Sequence, residues 1–281
     1  MKWIVGALLV LGIQGAFAQS QAPIEIGTVN GIRFAVSSAG NQRIGNAALV
    51  RLLTIQPKEP QVAFAQTILV ACDGSWISSN TQFAAQFNTQ TTFAELERFA
   101  KSRDEAIPLS SVRFESVADS SAVYAPLLAK RAGQICKSAG RETRNTLIPV
   151  ASYTEKDDIR ASSAIVLGTS VKRGDVIDVW TRTTWYKEVP ILDANGFAMK
   201  HSDGETMTNR EATGKFSLDH TAYDCRNRTN GTYEQSQYEK GNSTPVSKSM
   251  LRERLRLTSV VPGSVGESEL EAVCRLYGSQ F

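Results

Sequence analysis

The residues with the clearest chemical meaning are four cysteines, which fall into two pairs with the same pattern. Cys72 and Cys225 each end an apolar or alternating segment typical of a strand, whereas Cys136 and Cys274 lie among apolar residues at helical spacing. A zinc site would need Cys-x-x-Cys spacing or nearby histidines, and no cysteine has another within four residues. A nucleophilic cysteine would need a basic neighbour, which the apolar positions of Cys136 and Cys274 do not favour. We therefore expect all four to form structural disulfides.

Four cysteines allow three pairings, and a repeat in the sequence favours one of them. Residues 114–117 (Phe-Glu-Ser-Val) precede Cys136 much as residues 257–260 (Leu-Thr-Ser-Val) precede Cys274. We interpret the two halves as an internal duplication, the alternative being one composite domain. The pairing that agrees with this repeat, and that keeps each bond inside one half, is Cys72–Cys136 and Cys225–Cys274.

Only two histidines, His201 and His220, are available as general bases. His201 lies in a polar segment, and His220 follows Asp219 in a predicted strand, where successive side chains point to opposite faces. We therefore predict that the protein is not an enzyme and that it has no catalytic residue, metal ligand or cofactor. A hydrolase, the alternative, would need one of these histidines beside a carboxylate and a serine.

Arginines at alternate positions indicate a candidate binding face. Arg252, Arg254 and Arg256 would share the outer face of a predicted strand, and Arg226 and Arg228 repeat that spacing on another. Same-face neighbours on a strand are about 6.6–7 Å apart, so the guanidinium groups would form a ladder. This ladder is either a solvated face with glutamate partners or a docking face for an acidic protein, glycan or envelope lipid.

The elements that must position these residues are mostly strands, predicted at 47–55, 62–71, 176–186, 216–225 and 251–260. Capping boxes at Thr92–Glu95 and Ser264–Glu267 begin two helices, the second of which ends at Gly278. The polar segment 193–214 predicts a long recognition loop or a spacer. The sequence thus predicts an α+β fold of two similar modules, each an antiparallel β-sheet packed against a C-terminal helix and clamped by one disulfide.

The N-terminus has the pattern of a secretory signal peptide. Lys2 precedes a short apolar run, and Ala16-Phe17-Ala18 is a small-x-small cleavage site. The run is too short for a transmembrane helix, no later segment is long enough, and no cysteine near the cleavage site could carry a lipid anchor. The expected organisation is a signal peptide (1–18), a first module (19–140), a linker (141–162) and a second module (163–281).

The charge balance argues against nucleic acid as a partner. The formal net charge at pH 7 is +3, and it falls to +2 once Lys2 is removed with the signal peptide. A nucleic-acid-binding surface usually carries a clear basic excess, because phosphate neutralisation provides much of its affinity. The mature chain is too evenly charged to favour that class of partner.

The second half resembles the surface-adhesin protein E family of bacterial exported proteins. The residues that carry this resemblance are Val179-Trp180, Trp185-Tyr186-Lys187, Asp224-Cys225 with Asn227, and residues 262–266 (Pro-Gly-Ser-Val-Gly) before Val273-Cys274. The resemblance implies a small antiparallel sheet clamped to a helix by the Cys225–Cys274 pair, and attachment to host surface or matrix proteins. It covers about residues 163–278, and we interpret the N-terminal half as a diverged second copy that lacks the Pro-Gly-Ser-Val-Gly run.

Together these features predict an exported, non-catalytic binding or adhesion protein of a Gram-negative bacterium. It would be periplasmic, secreted or held at the cell surface, and it would recognise a protein, a glycan or an envelope component. The alternatives are a periplasmic structural or envelope-assembly factor and, as above, a hydrolase.

Overall fold

The computed structural model describes residues 22–38, 40–57, 61–79, 82–87, 91–101, 113–141, 147–154, 159–193, 196–200, 206–250 and 256–278. Several sequence predictions lie outside these ranges, namely the signal peptide (1–18), His201, Arg252, Arg254 and the first five residues of the predicted strand 251–260.

Module 1, from residue 22 to residue 141, is an antiparallel sheet with two helices. Its strands are β1 (Ile24–Val29), β2 (Ile32–Val36), β3 (Gln42–Ile44), β4 (Ala47–Gln56), β5 (Gln61–Ala71), β6 (Trp76–Ser79), β7 (Gln82–Phe87) and β8 (Arg113–Ser116). The helices are α1 (Phe93–Lys101) and α2 (Ala125–Ser138). The strand order is β1-β2-β4-β5-β6-β8, with β3 beside β4 and β7 beside β5.

Module 2, from residue 147 to residue 278, repeats this arrangement with one helix. Its strands are β9 (Leu147–Thr154), β10 (Ile159–Val166), β11 (Val171–Arg173), β12 (Val176–Pro190), β13 (Thr208–Asp224), β14 (Thr229–Tyr238), β15 (Ser247–Met250) and β16 (Thr258–Ser259). The helix is α3 (Val265–Tyr277). The strand order is β9-β10-β12-β13-β14-β15, with β11 beside β12 and β16 beside β14.

The two sheets share their register as well as their strand order. Val70 pairs with Ile77 and Tyr223 with Asn230, so in both modules the residue two before the strand-end cysteine faces the residue five after it. The repeated motifs at residues 114–117 and 257–260 also occupy equivalent positions. In each motif the serine pairs with the residue that lies four positions after the strand-end cysteine. These pairs are Ser116 with Trp76 and Ser259 with Thr229.

Each module is closed by one disulfide between a strand end and a helix. Cys72 is bonded to Cys136 in α2, and Cys225 is bonded to Cys274 in α3. All four cysteines of the chain are therefore used, as predicted. The α+β fold of two antiparallel sheets, each with a C-terminal helix and a disulfide, is confirmed.

Helix α3 begins at the predicted capping box. The Ser264 Oγ accepts the backbone N–H of Glu267 at 3.2 Å, and the Glu267 carboxylate accepts the backbone N–H of Gly263 at 2.7 Å. These bonds satisfy donors that a helix N-terminus otherwise leaves unpaired. The helix then directs Leu270 and Val273 into the core.

The core is shared between the modules, because α3 packs against both sheets. One continuous buried cluster contains residues of the first sheet, the second sheet and α3. Its main members are Leu49, Leu69, Trp76, Ile165, Ile177, Val179, Leu270, Val273 and Leu276. The opposite face of the first sheet is covered by α2, whose Leu128, Ala132 and Ile135 are buried there. The first sheet is therefore buried on both faces.

The predicted linker is largely strand. Residues 147–154 form β9 and residues 159–162 begin β10, which pair with each other along the edge of the second sheet. Residues 148–151 are all buried, so this segment supplies core residues, among them Ile148 and Val150. Pro149 made this segment look unlike a strand in the sequence. It lies on the edge strand opposite Ala164, where the register shifts, and such a position tolerates proline.

The predicted long loop is mostly an extension of a hairpin, which we call the arm (residues 186–214). The pairing of β12 with β13 continues to Pro190 and Thr208, and isolated bridges join Leu192 to Ala198 and Lys200 to Thr206. In module 1, seven residues separate the paired Ile55 and Ala63. Thirty-one residues separate the equivalent pair, Thr184 and Phe216. The arm therefore replaces a short turn.

Candidate binding surface

One face of the second sheet differs from its counterpart in module 1. In module 1 this face carries Leu53, Ile55 and Ala63, which are buried against Leu96 of α1. The equivalent positions of module 2 hold Arg182, Thr184 and Phe216, and each of the three is half-buried. The helix of module 2, α3, packs on the opposite face, and within the described ranges no helix corresponds to α1. We call this the open face.

Two rows of stacked side chains cross the open face. In the first row, the His220 ring stacks on Trp180 at a centroid distance of 4.9 Å and contacts Tyr233 at 4.9 Å. In the second row, the Phe216 ring stacks on Tyr238 at 4.6 Å. Strand register produces both rows, because Trp180 lies opposite His220, and Phe216 lies opposite Tyr238. Cross-strand aromatic pairs of this kind stabilise a sheet and fix ring positions.

Arg182 completes the second row and brings a positive charge to the open face. Its Cζ lies 4.2 Å from the centre of the Phe216 ring, which is a cation–π contact. Its Nε is buried and has no hydrogen-bond partner within the described ranges. The described residues place no carboxylate beside this guanidinium group, whose other two nitrogens are strong donors of charge-assisted hydrogen bonds, so the position favours an acidic acceptor.

The other polar groups of the open face are mostly engaged. Lys248 pairs with Glu234 at 2.7 Å, and the Tyr233 hydroxyl donates to Asp178 at 3.0 Å. Burial raises the pKa of Tyr233, with the Asp178 carboxylate as a second cause, so this hydroxyl remains a donor at neutral pH. Arg182 is left as the cation of this face without a carboxylate partner among the described residues.

The candidate arginines do not form the predicted ladder where they are described. Arg226 and Arg228 lie in the turn of residues 225–228, not on a strand. Arg226 pairs with Asp175 at 3.1 Å, and Arg228 pairs with Glu267 at 2.9 Å. Arg256 is exposed, but its predicted neighbours at 252 and 254 lie outside the described ranges.

Asp224 explains why the chain turns at Arg226. Its carboxylate accepts the backbone N–H groups of Arg226 and Asn227, both at 3.0 Å, which ends β13 in an Asx-type turn. The hydrogen bond from the Asn227 backbone is the main cause that lowers the pKa of Asp224. The Asp-x-x-Asn spacing was visible in the sequence and indicates a turn. This signal is stronger than the alternate spacing of Arg226 and Arg228, which indicated a strand.

A buried polar network that the sequence interpretation missed joins α3 to the second sheet. The Glu269 carboxyl group accepts hydrogen bonds from the Ser163 hydroxyl and, at 2.7 Å, from the Tyr223 hydroxyl. Burial raises the pKa of Glu269 and raises that of Tyr223 well above its ordinary value. Glu269 lies four residues before Val273 and therefore on the same, core-facing side of α3. A glutamate on the core-facing side of a helix was the sequence signal that could have predicted this network.

Neither a metal centre nor a membrane helix is found where the chain is described. Over those ranges, no group of three or more His, Cys, Asp or Glu side chains is placed to hold a metal ion. The described helices include none with the length and apolar character needed to cross a bilayer.

Comparisons with known proteins give no independent assignment: no protein-family model, curated protein or solved structure matches the chain.

Proposed function

We propose that this protein is an exported, non-catalytic binding protein that holds an acidic segment of a partner protein against the open face of module 2. The observation that carries this proposal is the difference between the modules. The face that α1 covers in module 1 is open among the described elements of module 2 and carries two ordered aromatic rows. Aromatic and arginine side chains are the residues most enriched at the centres of protein interfaces.

The charge of the open face supports an acidic partner. Arg182 is held in place by Phe216 and has no carboxylate partner within the described residues. A carboxylate from another protein would satisfy the guanidinium group and gain the attraction of a partly desolvated charge. The sequence suggested a basic docking face made of Arg226, Arg228, Arg252, Arg254 and Arg256. We propose that Arg182 provides the basic group of the docking face instead.

The two disulfides support export. Disulfides persist in oxidising compartments and are rare in the cytosol, and both modules of this protein are closed by one. We propose the periplasm, the cell surface or the medium as its location, in keeping with the signal-peptide pattern. Membership of the surface-adhesin protein E family, and adhesion as the purpose of binding, are likewise proposals.

Site-specific photo-crosslinking in the cells that make the protein tests this function. A photoreactive phenylalanine analogue at Tyr238 keeps an aromatic ring beside Phe216 and should form a crosslinked adduct that protease removes. The same analogue at Val123, an exposed position of module 1, should form none. Fractionation of the same cells reports the compartment.

Arg182→Gln supplies the matched test of charge, because glutamine keeps a polar side chain but loses the cation. We expect the Tyr238 adduct to fall at least fivefold in this variant, with an unchanged melting temperature. A protease-resistant adduct would indicate a glycan. Equal crosslinking at Tyr238 and Val123, or none at either position, would refute the open face as the binding surface.

A further inference from the structure

A separate cavity lies where the two modules meet. It has a volume of about 500 Å³, and both modules line it. Module 1 contributes the end of β5 and the turn after it, and module 2 contributes β11 and the end of α3. Volumes of a few hundred cubic ångströms, at a junction between domains, are typical of small-molecule sites.

Three cationic side chains from three elements converge on this cavity. They are Arg43 of β3, Lys172 of β11 and Arg275 of α3. Arg43 and Lys172 occupy equivalent positions, because each is the middle residue of a three-residue strand, facing Ala48 and Ile177 respectively. The repeat thus places one cation from each module at the same junction.

These cations differ in how far they are neutralised. Arg275 pairs with Glu271 at 2.8 Å and lies 5.9 Å from the Trp76 ring centre, so its charge is partly balanced. The Arg43 guanidinium group donates to the carbonyl of Gly45 at 3.3 Å, and neither Arg43 nor Lys172 has an ion pair among the described residues.

The acidic residue of the cavity offsets only part of their charge. Asp73 is the one carboxylate among the lining residues, and it accepts the backbone N–H of Ser75 at 3.0 Å and the Ser75 hydroxyl at 2.7 Å. These bonds hold the carboxylate in its own turn. The cavity therefore keeps an excess of positive charge within concave walls, where the potential of several cations adds.

We infer that this cavity binds a small molecule carrying two or more phosphate or carboxylate groups. One anionic group meets Arg43 from module 1, and another meets Lys172 from module 2, so the ligand bridges the modules. Phosphate and carboxylate oxygens are the acceptors that guanidinium and ammonium groups recognise best. This site is independent of the open face and of any protein partner.

Calorimetric titration of the full, oxidised protein with pyrophosphate, citrate and inorganic phosphate tests the inference at low ionic strength. We expect saturable, one-to-one binding of pyrophosphate or citrate, at least tenfold tighter than inorganic phosphate, because only the larger anions carry more than one anionic group to pair with the two cations. The probe that binds more tightly shows whether the site prefers phosphate or carboxylate groups. Ligand binding to the folded state should also raise the melting temperature.

The double variant Arg43→Ser, Lys172→Ser should lower this affinity at least tenfold. Its matched control is Lys130→Ser, Arg131→Ser, which removes the same charge from the exposed side of α2 and should leave the affinity unchanged. Both variants alter exposed side chains, and their melting temperatures without ligand verify folding. No saturable binding by any probe, or equal loss in the two double variants, would overturn the inference.

Discussion

Glu269 shows what a single half-buried ionisable residue does to this fold. Its carboxyl group lies between α3 and the second sheet, where the hydroxyls of Ser163 and Tyr223 donate to it. Those hydrogen bonds lower its pKa, but burial raises it by more, so the net shift is upward. An upward shift in the folded state means that the unfolded chain loses this proton first as the pH rises.

Replacing Glu269 with glutamine should therefore make stability less dependent on pH. Below the ordinary glutamate pKa both states of the wild type are protonated, and Glu269→Gln should change little. As the pH rises through the window between that value and the raised folded pKa, the wild type loses stability that the variant keeps. We expect the melting temperature of the variant to rise relative to that of the wild type as the pH increases above the ordinary glutamate pKa, measured by thermal unfolding at a series of pH values.

A matched variant separates this effect from lost packing. Glu271→Gln on the same helix removes a half-exposed carboxylate and is the control for the loss of one negative charge from α3. If the melting temperature of Glu269→Gln fell relative to that of the wild type as the pH rises, the upward direction of the Glu269 pKa shift would be contradicted.

At this scale the sequence predicted local contacts well and buried polar contacts poorly. The capping boxes at Thr92–Glu95 and Ser264–Glu267 are present, because each needs only residues three positions apart. The bond from Ser163 to Glu269 joins residues more than a hundred positions apart. Only the tertiary packing of α3 on β10 brings them together, so no local pattern could indicate their contact.

Among the elements, α3 depends most on its covalent bond. It is 13 residues long, a length at which an isolated helix is marginal in water, so docking on the sheets must stabilise it. The Cys225–Cys274 bond closes a loop of 49 residues and restricts the unfolded chain.

Removing this bond should destabilise the protein by about 2–5 kcal/mol. Cys225→Ala with Cys274→Ala should lower the melting temperature and expose module 2 to protease, as followed by mass spectrometry of the early fragments. Wild type purified from its own compartment should show no reactive thiol after denaturation. Two or more reactive thiols there, or an unchanged melting temperature in the double variant, would contradict this role.

The strand and helix pattern was predictable where the two modules agree and unpredictable where they differ. Cysteine spacing and the repeated Ser-Val motif located equivalent elements, which the shared register confirms. The strands of the arm were not predicted, because the polar residues 193–214 indicated a loop. Among its described residues, the strands of the arm pair with each other at the far end, where Leu192, Phe197 and Met199 are 58%, 72% and 41% exposed. A strand without a buried face gives no alternating pattern.

At the scale of the whole molecule, the modules are held together through α3. The backbone N–H of Asn46 in the turn between β3 and β4 donates to the carbonyl of Leu276 at 2.7 Å. A Cβ atom on Gly45 would stand 2.1 Å from that carbonyl oxygen, so only glycine fits. Neither contact has a local sequence signal, and for this reason the shared core was not predicted.

Gly45→Ala should therefore destabilise the whole protein. Gly45 has a φ of +54°, a conformation that costs a residue with a Cβ about 1–2 kcal/mol, and the clash with Leu276 adds to this. The matched control is Gly174→Ala, at the equivalent turn of module 2, where φ is +67° and no atom lies within 4 Å.

Scanning calorimetry distinguishes the two variants. We expect one unfolding transition in the wild type, and a larger fall in melting temperature for Gly45→Ala than for Gly174→Ala. Two separate transitions in the wild type, or equal falls in the two variants, would mean that the modules do not unfold as one unit.

The shared helix also sets the order in which the chain can reach its final state during synthesis. The first sheet is complete once β8 has formed, but its inner face, including Leu49, Leu69 and Trp76, waits for α3. At roughly 5–20 residues per second, Leu276 leaves the ribosome about 10–40 s after Trp76. Until then that face has no cover from α3, so module 1 cannot finish folding ahead of module 2. A chain that cannot mature before α3 is made stays incompletely folded for longer, which is the state that the proposed export through a secretion channel would require.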